Sequence, residues 1–378
     1  MSWIDVTYHV RASATDIASA AAALALEQSV EVPADVVRDP WVREHVMGRV
    51  ASIEPLDADR FRVGIRLAAL TTGHDAAQAI NMLFGNSSLH EHVELVDAVF
   101  PPDFVGRFGG PRHGIDGIRR LAGVHGRPLT CAALKPQGLA VDRLATIAYT
   151  FATAGIDVVK DDHGLADQSY SPFAARVAAC RRALERAERE TGRPCLYAPS
   201  LVGAPRALAQ QARIARDEGA QLVLVAPALV GLPAFHELVR ETLDVPVLAH
   251  PAYAGAARVA PPFLLGTLFR LLGADAVIFP NAGGRFAYSE ETCTDIADRG
   301  RRPLSGMNAM LPVPAGGMSV ERAAEIVRHY GNDTMLLVGG SLLAAGDRLA
   351  ERTRAFVDAV ARASEFPGGR PVATVPAA

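Results

Sequence analysis

The sequence predicts an α/β chain: a C-terminal (β/α)8 TIM barrel preceded by an N-terminal α+β domain of ferredoxin-like type. Three observations predict it. From about residue 128, eight short apolar runs recur with starts 23–38 residues apart, the spacing of one βα unit. The runs are continuously apolar, as strands buried on both faces are. Before residue 105 the pattern changes to strands mixed with two helices. An open doubly wound sheet is the competing arrangement, and the absence of GxGxxG after the first strand counts against it.

In chain order, residues 6–10 alternate as a strand and 14–27 form an alanine-rich helix. Residues 48–53 and 61–67 read as strands, 74–83 as a helix and 93–99 as a strand. Pro101, Pro102 and the glycine-rich 106–114 mark a boundary. The barrel runs are 128–134, 156–162, 194–200, 221–227, 246–250, 274–280, 311–317 and 334–340. Domains are expected at 1–107 and 118–365, with a tail over 366–378.

Composition narrows the function classes. The chain has 378 residues, 49% hydrophobic and 21% charged, enough to bury a sizeable core. A net charge of -3 argues against a nucleic-acid footprint. Cys131, Cys180, Cys195 and Cys293 stand far apart with no CxxC, which excludes a disulfide scaffold or zinc module and fits a reducing cytoplasm. No signal-peptide pattern opens the chain, and no apolar run reaches the roughly 18 residues of a membrane span.

In such a barrel the chemistry sits at the C-terminal ends of the strands. The first ends in Lys135-Pro136-Gln137 and the second in Lys160-Asp161-Asp162-His163. Alternation puts Lys160 and Asp162 on one side of the second strand, Asp161 and His163 mostly on the other. Asp162 can ligate a hard cation such as Mg²⁺; Lys160 can do so only once neutralised or converted by CO₂ into a carbamate. A solvated charge run is the plainer reading of the same residues. Lys135 is either a proton-moving lysine or an ion-pair partner for those carboxylates. His250, after the fifth strand, is an acid–base group, a hydroxyl-binding group or a structural histidine. The pairs Gly316-Gly317 and Gly339-Gly340 let backbone N–H groups approach a phosphate. Arg285, in a glycine-rich loop, suits a second phosphate or a carboxylate.

Together these residues resemble the large subunit of ribulose bisphosphate carboxylase, and more closely the RuBisCO-like proteins. FGGPRHGI at 108–115 resembles the domain-crossing segment, and RPLTCAALKPQGL at 127–139 the first barrel strand. GIDVVKDDHGLADQ at 155–168 resembles the metal strand; LPVPAGG at 311–317 and YGNDTMLLVGG at 330–340 resemble the phosphate strands. The resemblance implies that Lys160 is a carbamylated metal ligand beside Asp162, with Mg²⁺ as the ion and His163 in the third ligand position. It implies that Lys135 is the acid–base lysine, that His250 contacts substrate oxygens, and that Gly316, Gly317, Gly339 and Gly340 bind phosphate. Glu27 and Asn86 would reach into a neighbouring subunit, making a homodimer with shared active sites, or a higher oligomer, the functional unit.

The departures are informative. His163 replaces a glutamate, and imidazole suits transition metals better than Mg²⁺. Gln137, Pro251 and the residues near Phe279 replace family lysine, arginine and histidine, so carboxylation of ribulose bisphosphate is not expected. What remains is a device for stabilising an enolate. Arg285 and the lost second phosphate contacts favour a decarboxylase of 3-oxo-isoapionate 4-phosphate type. The alternatives are an isomerase or enolase on methylthio-ketose phosphates in methionine salvage, and a non-catalytic sugar-phosphate-binding barrel.

Overall fold

The computed structural model describes residues 2–284, 286 and 288–365; the tail expected at 366–378 lies outside the described residues. The chain forms two compact units. One runs to Gly110 and takes in Ala254–Leu264 and Leu304–Met307; the other comprises Pro111–Tyr253, Leu265–Pro303 and the chain from Asn308.

In the first unit, β1 (Trp3–Arg11), β2 (Arg49–Pro55), β3 (Arg60–Ala68) and β4 (Val93–Val99) form an antiparallel sheet in the order β2-β3-β1-β4. Helices Ile17–Glu27 and Ala76–Phe84 complete the β-α-β-β-α-β order of a ferredoxin-like unit. Every second residue of β1 (Ile4, Val6, Tyr8, Val10) and of β3 (Phe61, Val63, Ile65, Leu67) is buried, as a sheet covered on one face requires. The second helix starts at Ala76, two residues later than its apolar pattern predicts. The Asp75 carboxylate accepts from the Gln78 N–H at 2.8 Å, so Asp75 is its N-cap, a contact worth about 1 kcal/mol.

The boundary read at residues 101–114 is helical in part. Pro102 opens the helix Pro102–Phe108 and Gly109, at φ 79°, closes it. The prolines and glycines there are start and stop signals around the buried Phe104, Val105 and Phe108.

The second unit carries nine parallel strand segments: β5 (Leu129–Leu134), β6 (Val158–Asp161), β7 (Leu196–Ala198), β8 (Ser200–Leu201), β9 (Val223–Val225), β10 (Val247–Ala249), β11 (Ala276–Pro280), β12 (Leu311–Ala315) and β13 (Met335–Val338). Their order is β7-β6-β5-β13-β12-β11-β10-β9-β8. The two ends of that order are one run of chain, broken at Pro199, which has no N–H for the ladder. β7 pairs with β6 and β8 with β9, so the ring closes through this run, and the eight apolar runs are eight strands.

Alternate strand residues meet inside the ring: Leu129, Cys131 and Ala133, with Leu311, Val313, Met335 and Leu337, belong to one cluster. The helix Gly114–Ala122 adds Ile115, Ile118 and Ala122 and plugs the N-terminal end of the barrel. Polar groups at that end are paired off. Asp275 accepts from the backbone N–H of His113, Gly114 and Val247 at 2.7, 2.7 and 2.9 Å. Asp157 accepts two bonds from Arg127, at 2.8 and 2.7 Å, and two from Thr130, at 2.8 and 2.9 Å. A cavity of about 420 Å³ opens at this end, with Arg120, Arg216 and Asp244 in its wall.

The four cysteines are buried and free. Burial pushes the Cys131 and Cys180 thiols up to about 12, and the Cys195 thiol well above its ordinary value. No helix among the described residues is long and apolar enough to cross a membrane.

Candidate active site

The site is built outward from β6. Val158 belongs to the interior cluster, so alternation turns Lys160 inward as well, two residues nearer the C-terminal end. Its ladder neighbours are Ala133 of β5 and Ala198 of β7, whose small side chains leave room for the lysine stem. Lys160 is 2% exposed, and its Nζ donates to the Asp161 carbonyl at 2.8 Å. Burial lowers its pKa, which favours the neutral amine.

Asp161 turns the other way into a fully buried network. Its Oδ1 accepts from Tyr197 Oη at 2.7 Å, and its Oδ2 from Arg176 Nε at 3.0 Å and the Ser200 N–H at 3.1 Å. Arg176 also donates to the carbonyls of Ser171 and Ala166, at 2.6 and 2.8 Å, tying down the loop after β6. Sequence reasoning missed Arg176 and Tyr197. The signal for Arg176 is its place on the buried stripe of the helix Phe173–Thr191, with Phe173, Val177, Cys180 and Leu184.

Asp162 lies just past the strand and gathers Lys135 and His163. Lys135 Nζ is 2.7 Å from its Oδ2, and His163 Nδ1 is 3.0 Å from its Oδ1. Alternation alone sends His163 to the side of Asp161. The strand ends at Asp161, the alternation ends with it, and His163 joins Asp162 instead. Although burial acts to raise the Asp162 pKa, the hydrogen bonds from His163 and Lys135 hold it well below the usual carboxylate range.

His250 follows β10 and stacks on His163, with ring centroids 4.2 Å apart and planes 13° apart. Its Nδ1 accepts from the Ala252 N–H at 3.1 Å, which leaves the ring proton on Nε2. Burial, then the charge of Lys160 and the neighbouring His163, push its pKa down to about 2. His250 is therefore a neutral donor at physiological pH, suited to a substrate oxygen.

The glycine pairs lie at the ends of β12 and β13. Gly316 and Gly317 are left-handed, at φ 87° and 64°, a conformation that favours glycine. A Cβ on Gly339 would stand 3.9 Å from Lys135 Cε, which puts this turn beside the lysine. Ser341 Oγ donates to the Met318 carbonyl at 2.7 Å, joining the two turns. Arg285 lies outside the described residues. Glu27 and Asn86 meet in the first unit, where Asn86 Nδ2 donates to Glu27 Oε1 at 3.0 Å and to Glu31 Oε1 at 2.7 Å. Glu31 was not legible as part of that group.

Of the side chains at this site, Asp162 and His163 carry atoms able to ligate a metal ion as they stand. Among the described residues no three His, Cys, Asp or Glu side chains converge on one point. A carbamate on Lys160 would add the missing oxygens, and the buried, pKa-lowered amine fits that reaction. On this donor chemistry a divalent ion fits Asp162 and a carbamylated Lys160, with His163 as a third, softer donor.

Comparison with known proteins places these residues in a family context. The family model for the ribulose bisphosphate carboxylase large chain, catalytic domain, matches residues 114–359. The chain is 48% identical over 359 residues to 5-methylthioribulose-1-phosphate isomerase of Rhodospirillum rubrum, covering 95% of this chain and 96% of that protein. It is 33% identical over 385 residues to 2,3-diketo-5-methylthiopentyl-1-phosphate enolase of Geobacillus kaustophilus, covering 95% and 93%. The crystal structure of a RuBisCO-like protein from Rhodopseudomonas palustris superposes with a TM-score of 0.89 at 46% identity, covering 96% of this chain and 98% of that one.

Proposed function

The chain belongs to the ribulose bisphosphate carboxylase large-chain family as a RuBisCO-like protein, and from that footing we propose that it is an isomerase of a methylthio-ketose phosphate. The observation that carries the reading is the arrangement at the C-terminal end of the barrel. Lys135, paired to Asp162, stands beside the Gly339 turn, and a neutral His250 is held close by through His163.

In this reading the phosphate rests on the backbone N–H groups of Gly316, Gly317, Gly339 and Gly340. His250 Nε2–H donates to a substrate oxygen and fixes the ketone end. Lys135 Nζ, as the free amine, takes a proton from the hydroxyl-bearing carbon beside the ketone and returns it to the former carbonyl carbon, while that hydroxyl's proton passes to the former carbonyl oxygen, so the carbonyl moves along the chain. A divalent ion held by Asp162 and a carbamate on Lys160 would stabilise the enediolate formed between those events. Glu27 and Asn86 would complete the site of a neighbouring subunit in a homodimer.

The decarboxylase expectation finds no support. It stood on Arg285, which lies outside the described residues, and on the lost second phosphate contacts, and neither relative named above carries a decarboxylase name. The methionine-salvage alternative is the one those relatives favour.

The test is NMR of the purified protein with Mg²⁺, bicarbonate and 5-methylthioribulose 1-phosphate in D₂O. The expected result is a new ketose phosphate whose carbonyl has moved. Conversion of 2,3-diketo-5-methylthiopentyl 1-phosphate alone would replace isomerase by enolase. Release of CO₂ from 3-oxo-isoapionate 4-phosphate, with the ketose phosphate untouched, would restore the decarboxylase reading. Binding without turnover of any of the three would leave the non-catalytic barrel.

A further inference from the structure

We propose that Arg322 is a positioning residue that ties the loop after β11 to the glycine turn after β12, so that the Gly316–Gly317 part of the phosphate cradle is held in register by its neighbouring loop. The proposal rests on the reading of Gly316 and Gly317 as phosphate-binding.

Arg322 precedes the helix Ala323–Tyr330. Its Nη1 donates to the Gly317 carbonyl at 3.1 Å and its Nη2 to the Ala282 carbonyl at 3.2 Å. One planar guanidinium thus spans two loops that follow different strands, a geometry lysine cannot reproduce from a single ammonium. Glu325, one turn on, holds the same group, with its Oε1 3.1 Å from Nη2.

The loops it joins touch through their backbones. A Cβ on Gly284 would lie 3.0 Å from the Asn281 carbonyl oxygen and 3.1 Å from that of Gly316. A Cβ on Gly317 would lie 2.9 Å from Arg322 Nη1 and 3.1 Å from Gly284 Cα. A side chain on either glycine would therefore crowd the facing loop, and one on Gly317 would press on the arginine. The base of the first loop is pinned from behind: Tyr330 Oη donates to Asn281 Oδ1 at 2.8 Å, and the Asn281 N–H to the Ala315 carbonyl at 2.8 Å. Arg322 is a further clamp, with its guanidinium against Gly283. Both carbonyls it draws on belong to peptide groups of these loops, so it sets where the neighbouring N–H groups point.

Three readouts on the full-length protein test this: hydrogen exchange at the amides of 281–284 and 315–318, the affinity for inorganic phosphate, and the split between KM and kcat. In Arg322→Ala, exchange should rise in both segments together. Phosphate binding should weaken about 10-fold, the scale of one or two lost charge-assisted hydrogen bonds, with KM rising in step and kcat nearly kept. Arg322→Lys should fall between the two proteins, because an ammonium serves one carbonyl at a time. It also carries the test if the alanine variant does not fold. Faster exchange in only one segment, or unchanged phosphate affinity in a folded variant, overturns the proposal. A wild-type protein that binds phosphate but leaves methylthio-ketose phosphates unconverted defeats the isomerase reading and leaves this one standing.

Discussion

At the N-terminal end of the barrel, Asp275 receives three backbone N–H groups and Asp157 four donors from Arg127 and Thr130. At the C-terminal end, Asp162 is held by two side chains from outside the strand ladder, Lys135 and His163. The first kind of carboxylate is locked by the chain itself and cannot change partners without unfolding. The second shares its oxygens with groups that an arriving ligand can displace. The carboxylates at the N-terminal end are therefore tied into the ring, and at the C-terminal end Asp161 is tied in likewise while Asp162 alone of the pair stays exchangeable.

The sharpest way to break this contrast is Lys135→Met. Its kcat should fall by about 10²–10⁴-fold, the usual contribution of a positioned proton-transfer group. The urea midpoint should hardly move, because Asp162 keeps His163. A loss of stability comparable to that of a variant at the other end would erase the distinction. Asp157→Ala is the counterpart. It strands Arg127 in a buried position and should cost about 3–5 kcal/mol in denaturant unfolding, with the folded fraction keeping its kcat. A large fall in kcat there would mean that the N-terminal end also shapes the chemistry.

Acid unfolding gives a finer and smaller effect. The Asp162 pKa is depressed in the fold, so its stabilisation is present above the unfolded value of about 3.9 and is lost as pH falls below it. Burial raises the Asp275 pKa, outweighing its three N–H donors, so this group has the opposite sign. Its ionised form costs stability, and acidification relieves that cost. Unfolding free energy measured against pH should therefore have a shallower acid limb in Asp162→Asn than in the wild type. Parallel limbs would show that Asp162 is not the exchangeable group described here.

What was legible in the sequence follows the same division. Eight apolar runs were visible because strands buried on both faces leave no other pattern, and Lys135, Lys160, Asp162 and His250 because strand ends are where a barrel's polar residues stand out. Their partners were hidden. Arg322 binds backbone carbonyls, which leave no mark in side-chain identity. Tyr197 reads as one more apolar strand residue until Asp161 is seen to accept its hydroxyl. The side taken by His163 depended on where β6 stops, and element ends are what periodicity defines least well.

The buried thiols give the barrel an internal clock. Cys131 lies on β5, Cys180 on the helix Phe173–Thr191, Cys195 just before β7 and Cys293 on the helix Glu290–Arg301. A thiol kept neutral behind packed strands reacts with an alkylating reagent only after the packing has parted. Four labelling rates, one per sector of the ring, therefore record how often each sector opens. A ring that opens as one unit would show four equal rates, and one that yields first at the Pro199 seam would label Cys195 ahead of Cys293.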